Sequence, residues 1–339
     1  MPQSEKQKID GIELLRILAS LGIALYHVGC YGNRLSLSLG VHLFFCISAF
    51  LCMLTTEKPK KLFLLKRLLR ILPLYWLLTF ATFAAAHLIP GLFGGEPATF
   101  GELIKSLLLI PYSREGMRTA SVVRPIVGPG WTMYYDVCFA ILFAVAMKLR
   151  HKWRGAITAG LCCLLLLGAL LPDTNPFVHV YTKGYFLDFI AGIAVYFLWK
   201  ARKGTDRPVR NSLLLRLGAA LAALGGLGFL YTQEQHYLPD AAACFLILFA
   251  TLLCFDGVRL PKAVPFLGKL SYSFYLLHYF VILVLGKVFD FSRLGLSAIV
   301  GTAAVILLSY LAAWVSYELI EKRFTGWIIA KLDRPKATE

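Results

Sequence analysis

The sequence predicts an all-α, polytopic transmembrane bundle of about ten spans, with both termini in the cytoplasm. Three observations carry that prediction. Apolar residues make up 58% of the 339 residues and charged residues only 16%, whereas a soluble domain carries about a quarter charged residues. The apolar residues gather in runs long enough to cross a bilayer, which takes about 18 residues or more. Lys and Arg are dense in every second connection between those runs and sparse in the others.

The runs lie at about 11–30, 38–55, 70–90, 131–147, 155–171, 184–199, 212–231, 240–256, 270–287 and 296–318. The first is too long for the apolar core of a signal peptide and has no small-residue cleavage site, so it is expected to remain as a span. Of the 35 Lys and Arg, 25 fall on the side that holds both termini and eight on the other. Positively charged loops stay in the cytoplasm, which orients the chain. The net charge of +16 is then a topology signal and a contact with lipid headgroups, not a nucleic-acid footprint. The expected location is the inner cell membrane, as a multi-pass protein. Eight cysteines are scattered without a C-x-x-C pair, which reads as buried thiols, not as a metal site or a disulfide framework. No metal is expected. Residues 1–324 read as one membrane domain and 325–339 as a cytoplasmic tail.

The outward connection at 91–130 is long and rich in Gly, Pro and Arg. Its stretch 100–110 (FGELIKSLLLI) is apolar but too short to span, so it is expected as an interfacial or re-entrant helix. Two readings fit it: a lid that only packs on the bundle, or a cap over an outward-facing site.

Ionisable residues inside a span are costly and default to a functional hypothesis. At about 100° per residue, Glu13, Arg16, Ser20 and His27 fall within roughly 60° of one another on the first span. They form a narrow polar stripe on an otherwise apolar helix. Arg16 and His27 are separated by roughly 16 Å along the axis. The span enters from the cytoplasm, so Arg16 is expected near the inner face and His27 in the outer third. Arginine suits an anion arriving from the cytoplasm, and histidine suits a general base. The plain structural alternatives are a Glu13–Arg16 pair that anchors the helix and a satisfied interfacial histidine.

The third span opens with KRLLRILPLYW. Lys66, Arg67 and Arg70 at its cytoplasmic mouth, with Tyr75 and Trp76, read either as positive-inside anchoring with an aromatic belt or as paired guanidinium groups for phosphate. The fourth span opens from the outer side with GWTMYYDVCF, which brings Trp131 and Asp136 to an expected depth similar to that of His27. Asp136 and His27 either orient each other or bind a hydroxyl, or Asp136 lies in the headgroup layer. His278 near mid-membrane in the ninth span is either a helix–helix hydrogen bond or a substrate contact. Asp188 in the sixth span is a weaker candidate. Arginines thus define an inner pole, and His27 with Asp136 an outer pole.

At these residues the sequence resembles the acyltransferase-3 family of integral membrane acyltransferases. That family's opening D-x-x-R, followed by ten residues and then His, is matched by ELLRILASLGIALYH. Its G-V-D-L-F-F-x-x-S-G-F-L block is matched by GVHLFFCISAFL at 40–51, and its R-R-L-x-R-I-x-P-x-Y-W block by KRLLRILPLYW. Its W-[ST]-L-x-x-E is matched by WTMYYD, its late L-G-x-x-S-Y-x-x-Y-L-x-H by LGKLSYSFYLLH, and its closing L-I-E-K-x-F by LIEKRF at 319–324. Glu13 stands for the usual Asp, Asp136 for the usual Glu, His42 for an acid and Ala49 for a glycine. The segment around 130–136 is similar to bacterial exopolysaccharide and O-antigen O-acetyltransferases.

The resemblance implies acyl-CoA, usually acetyl-CoA, as donor co-substrate and a carbohydrate hydroxyl, on a polysaccharide or its lipid-linked precursor, as acceptor. It implies catalytic roles for His27, Arg16, Glu13 and Asp136. Arg16, Arg67, Arg70 and Tyr75 would hold the donor, and Asp136, Trp131 and His278 the acceptor. His27 would act as general base, with a histidine-bound acyl intermediate as a variant. A glycolipid transporter or flippase is the competing class, and a non-catalytic assembly scaffold a third; paired Gly/Pro-broken spans in two matching halves, which inverted-repeat transporters show, are not evident.

Overall fold

The computed structural model describes residues 9–28, 39–58, 60–89, 97–113, 123–173, 175–203, 236–292 and 294–333. The expected span at 212–231, with Arg216 and also Cys30, lies outside the described residues. What is described is helical, with a single isolated bridge between Ser113 and Val123. Seven helical stretches are long and apolar enough to cross a membrane among the described residues. Side chains such as Leu164, Val284 and Leu307 turn outward, as lipid-facing positions do. The chain is therefore a multi-pass membrane protein. Two compact units divide it, one of Met1–Glu57 with Leu187–Leu311, the other of Lys58–Phe186 with Ala312–Glu339.

In the first unit, α1 (Asp10–His27) packs on α2 (Leu39–Thr55) and most extensively on α10 (Ala263–Leu285). Helix α10 runs parallel to α1: Gly268 lies against Glu13, and His278 against His27. A side chain at Gly268 would collide with Glu13, so the glycine of the LGKLSY block sets this close approach. The polar stripe of α1 therefore faces α10. Helices α2, α8 (Phe186–Lys203) and α9 (Tyr237–Cys254) run parallel to one another and start at the end where α1 finishes. Rungs along them fix that direction: His42 meets Asp188 and Asp240, Phe50 meets Tyr196 and Trp199, and Glu57 meets Tyr196 and Lys200. Helix α11 (Leu296–Ser316) covers α10 through the Phe274–Tyr310 ring pair.

In the second unit, α3 (Phe63–Leu88) begins seven residues before the run expected at 70–90 and carries Pro73 inside it. Proline removes the hydrogen bond to the carbonyl four residues back, here Leu69. The hydroxyl of Thr325 donates to that carbonyl at 3.2 Å. Thr325 ends a π-helical segment, Tyr317–Thr325, which follows α11 and leads into α12 (Gly326–Leu332). Helix α5 (Trp131–Ala146) runs antiparallel to α3, with Gly130 against Tyr75, Asp136 against Arg67 and Phe143 against Phe63. It starts midway along α3, not opposite the end of α3.

The chain reaches that midpoint through α4 (Phe100–Leu107), which opens with a capping box between Thr99 and Glu102. Tyr75 Oη donates to the Ser106 carbonyl at 2.8 Å, and Trp76 Nε1 to the Leu107 carbonyl at 2.9 Å. Helix α4 thus docks at the middle of the long helix. Helices α6 (His151–Leu167) and α7 (Pro176–Tyr181) complete the unit against α5.

Candidate functional site

The first unit holds the polar stripe. Arg16 pairs with Glu13 at 3.4 Å, the helix-anchoring contact that the i, i+3 spacing allows. Ser20 is buried and donates to the Ile17 carbonyl. His27 closes the helix, and its ring is exposed. Its Nδ1 lies 3.0 Å from the Ile23 carbonyl, one turn back, and 3.2 Å from Nε2 of His278. His278 itself has no exposed surface. Its ring lies parallel to Phe274 and is flanked by Tyr275. One imidazole is thus presented at the end of α1, and a second stands behind it. Glu13 is fourteen residues back on the same helix, roughly 21 Å from His27 along the axis, and does not orient it.

A second polar cluster in this unit escapes the sequence reading. His42 Nδ1 meets Asp188 Oδ2 at 2.8 Å, and His42 Nε2 approaches Asp240 Oδ2 at 3.6 Å. All three residues are buried. Each sits in the first turn of its helix, where the N-terminal dipole favours the two carboxylates. The sequence carries part of this signal. Asp188 is a weak candidate there, and His42 stands out as a departure from the family block. Asp240 opens an expected span and looks like a boundary residue.

The second unit brings together two residues expected at opposite poles. Arg67 is expected at the inner mouth and Asp136 near the outer face, yet Arg67 Nη2 and Asp136 Oδ1 form an ion pair at 2.6 Å. They occupy one depth. The ends of the apolar runs do not mark depth. Helix α3 starts before its run, which draws Arg67 a turn inside it, and α5 starts at the midpoint of α3, which carries Asp136 toward the same end. Arg70 is exposed on the same helix. Tyr75 is buried, with its hydroxyl donating to the Ser106 carbonyl, so in this structure it fastens α4. Trp131 packs edge-on to Tyr135 and against Tyr185, a partner the sequence does not single out.

Among the described residues, no cluster of His, Cys, Asp and Glu has the arrangement of a metal site. What the first unit does offer is an exposed imidazole on a span end with its Nδ1 held from behind, the arrangement of a base that takes a proton through Nε2.

The exopolysaccharide production protein ExoZ of Rhizobium meliloti (strain 1021) is 28% identical over 293 residues, covering 84% of this chain and 88% of that protein. No solved structure matches the chain. The Acyl_transf_3 family model, described as an acyltransferase domain, matches residues 9–318, a stretch that includes His27, His278, Arg67 and Asp136. On that match across nearly its whole length, the chain belongs to the acyltransferase-3 family and is an acyltransferase.

Proposed function

We propose that this protein moves an acyl group, acetyl in the first instance, from acyl-CoA to a hydroxyl of a cell-envelope polysaccharide or its lipid-linked precursor, with His27 as general base. The observation that carries the proposal is the exposed His27 ring, tethered at Nδ1 by the Ile23 carbonyl. The name of the Rhizobium meliloti relative, an exopolysaccharide production protein, supports a carbohydrate acceptor.

In the reaction, Nε2 of His27 takes the hydroxyl proton as the sugar oxygen attacks the thioester carbonyl. The carbon–sulfur bond then breaks, and the departing CoA sulfur recovers the proton from the imidazolium. Proton and acyl group balance, and no other co-reactant is needed. For the donor, Arg70 is an exposed guanidinium suited to phosphate, and Arg67 presents a second, braced by Asp136. Arg16, braced by Glu13, is a further anion partner on α1. Trp131, with Tyr135 and Tyr185 behind it, offers an aromatic face to a sugar ring.

The test is acyl transfer by the purified full chain. With acetyl-CoA and cell-envelope polysaccharide, it is expected to release CoA thiol and acetylate the polysaccharide. His27→Ala is expected to lower the rate by about 10²–10⁴-fold, the usual contribution of a general base. A variant with undiminished turnover sinks the assignment.

A further inference from the structure

We infer that His278 is a positioning residue for acyl transfer: its Nε2 accepts the Nδ1 proton of His27 and so holds the His27 ring with Nε2 unprotonated. This rests on the reading of His27 as general base and adds what makes it one.

The hydrogen-bond partners decide the tautomers. A backbone carbonyl can only accept. The Ile23 oxygen, 3.0 Å from His27 Nδ1, therefore requires a proton on that nitrogen. With Nδ1 protonated, His278 Nε2 at 3.2 Å can meet it only with a lone pair. His278 then carries its own proton on Nδ1. In the opposite arrangement, His278 would donate to a bare His27 Nδ1, and two lone pairs would face each other across the contact with Ile23. The accepted arrangement leaves the basic lone pair of His27 on Nε2.

Packing makes His278 fit for this and unfit for contact with a sugar. Its ring has no exposed surface and lies parallel to Phe274, with ring centroids 6.1 Å apart and planes 8° apart. Tyr275 flanks it at 5.9 Å. The ring is pinned, whereas the His27 ring in front of it is exposed. When Nε2 of His27 takes the hydroxyl proton, the new positive charge spreads to Nδ1–H, which already points at two acceptors. The pair is neutral before that step, so no ionised partner has to be kept within the span. A carboxylate in the place of His278 would serve the same proton only as a standing charge.

The experiment uses the full chain in lipid nanodiscs, with acetyl-CoA as donor and cell-envelope polysaccharide as acceptor. Three variants are compared: His27→Ala, His278→Asn and His278→Gln. The amide oxygen of glutamine reaches about where Nε2 lies and can accept, whereas asparagine keeps polarity but stops short. His278→Asn is expected to lower kcat by about 10–100-fold, the range for losing the hydrogen-bond partner that orients a metal-bound imidazole, with KM for both substrates unchanged. His278→Gln is expected to recover most of the loss.

Three results would overturn the inference while leaving His27 in place: an asparagine variant with normal kcat, one with raised KM for polysaccharide and normal kcat, or a glutamine variant as slow as asparagine. Full activity in His27→Ala would instead remove the general-base reading itself. Elution volume and thermal midpoint in the same nanodiscs identify a variant that fails to fold. If asparagine fails in that way, kcat of the glutamine variant alone decides: near-normal supports the inference, and a loss beyond about tenfold, on the scale of a missing orienting partner, overturns it.

Discussion

Ionisable side chains within a span are costly, and this chain meets that cost in two ways. His27 and His278 do it by meeting each other through a ring-nitrogen contact. His42, Asp188 and Asp240 do it by mutual pairing at three helix starts. Removing one member of a buried ion pair leaves the other uncompensated, at about 3–5 kcal/mol. Asp188→Ala is therefore expected to destabilise the fold by about that much. Asp188→Asn, which keeps a hydrogen-bonding side chain beside His42, is expected to do less harm. Thermal midpoints in detergent check both, and an unchanged midpoint for the alanine variant would show that the cluster is not a structural pair. Individual residues of the stripe are legible in the sequence, because a 100° turn and a hydropathy pattern are local properties. Their partners are not. His27 and His278 are 251 positions apart, and His42 and Asp188 are 146 apart.

Helix α3 shows how one element recruits a distant one. Pro73 strips the Leu69 carbonyl of its helical donor, and Thr325 supplies a hydroxyl from 256 positions away. Non-helical satisfaction of a proline gap by a neighbouring Ser or Thr is what a bilayer interior demands. Thr325→Val is expected to destabilise the protein by about 1–3 kcal/mol, the range for an orphaned buried acceptor. In a Pro73→Ala background, where the amide at 73 can donate to Leu69, the same valine change is expected to be nearly neutral. A double-mutant cycle on unfolding free energy tests this, and additive effects would mean that Thr325 acts through something else. The sequence announces Pro73 and the KRLLRILPLYW block, and it announces a short apolar helix after α3. Where α4 docks cannot be read from either, because the Tyr75–Ser106 and Trp76–Leu107 hydrogen bonds depend on a chain reversal with no local signature.

For the molecule as a whole, the direction of each helix within the first unit follows the alternation expected of successive spans. Helices α1 and α10 run one way; α2, α8 and α9 run the other. Charge distribution then orients the chain in the bilayer: the Lys- and Arg-rich side, which includes both termini, is expected in the cytoplasm. Alkaline phosphatase is active only outside the cytoplasm. Fused after Asp333 it is expected to be inactive, and fused after Asp173, in an outward connection, active. The reverse pattern would invert the topology and with it the side from which acyl-CoA arrives.

The sequence by itself determined the membrane class, the approximate place of most long helices, the stripe on α1 and the family resemblance carried by six short blocks. Each of these is written in consecutive residues. Tertiary structure alone decided who meets whom: Arg67 with Asp136, His27 with His278, and His42 between two carboxylates. Those meetings depend on the relative register of helices, and a shift of one residue moves a side chain by about 1.5 Å along the axis and about 100° around it. Register is set where backbones touch, at Gly40 against Ala19, Gly192 against Cys46 and Gly268 against Glu13. Such contacts join positions far apart in the chain, so hydropathy and local spacing carry no record of them.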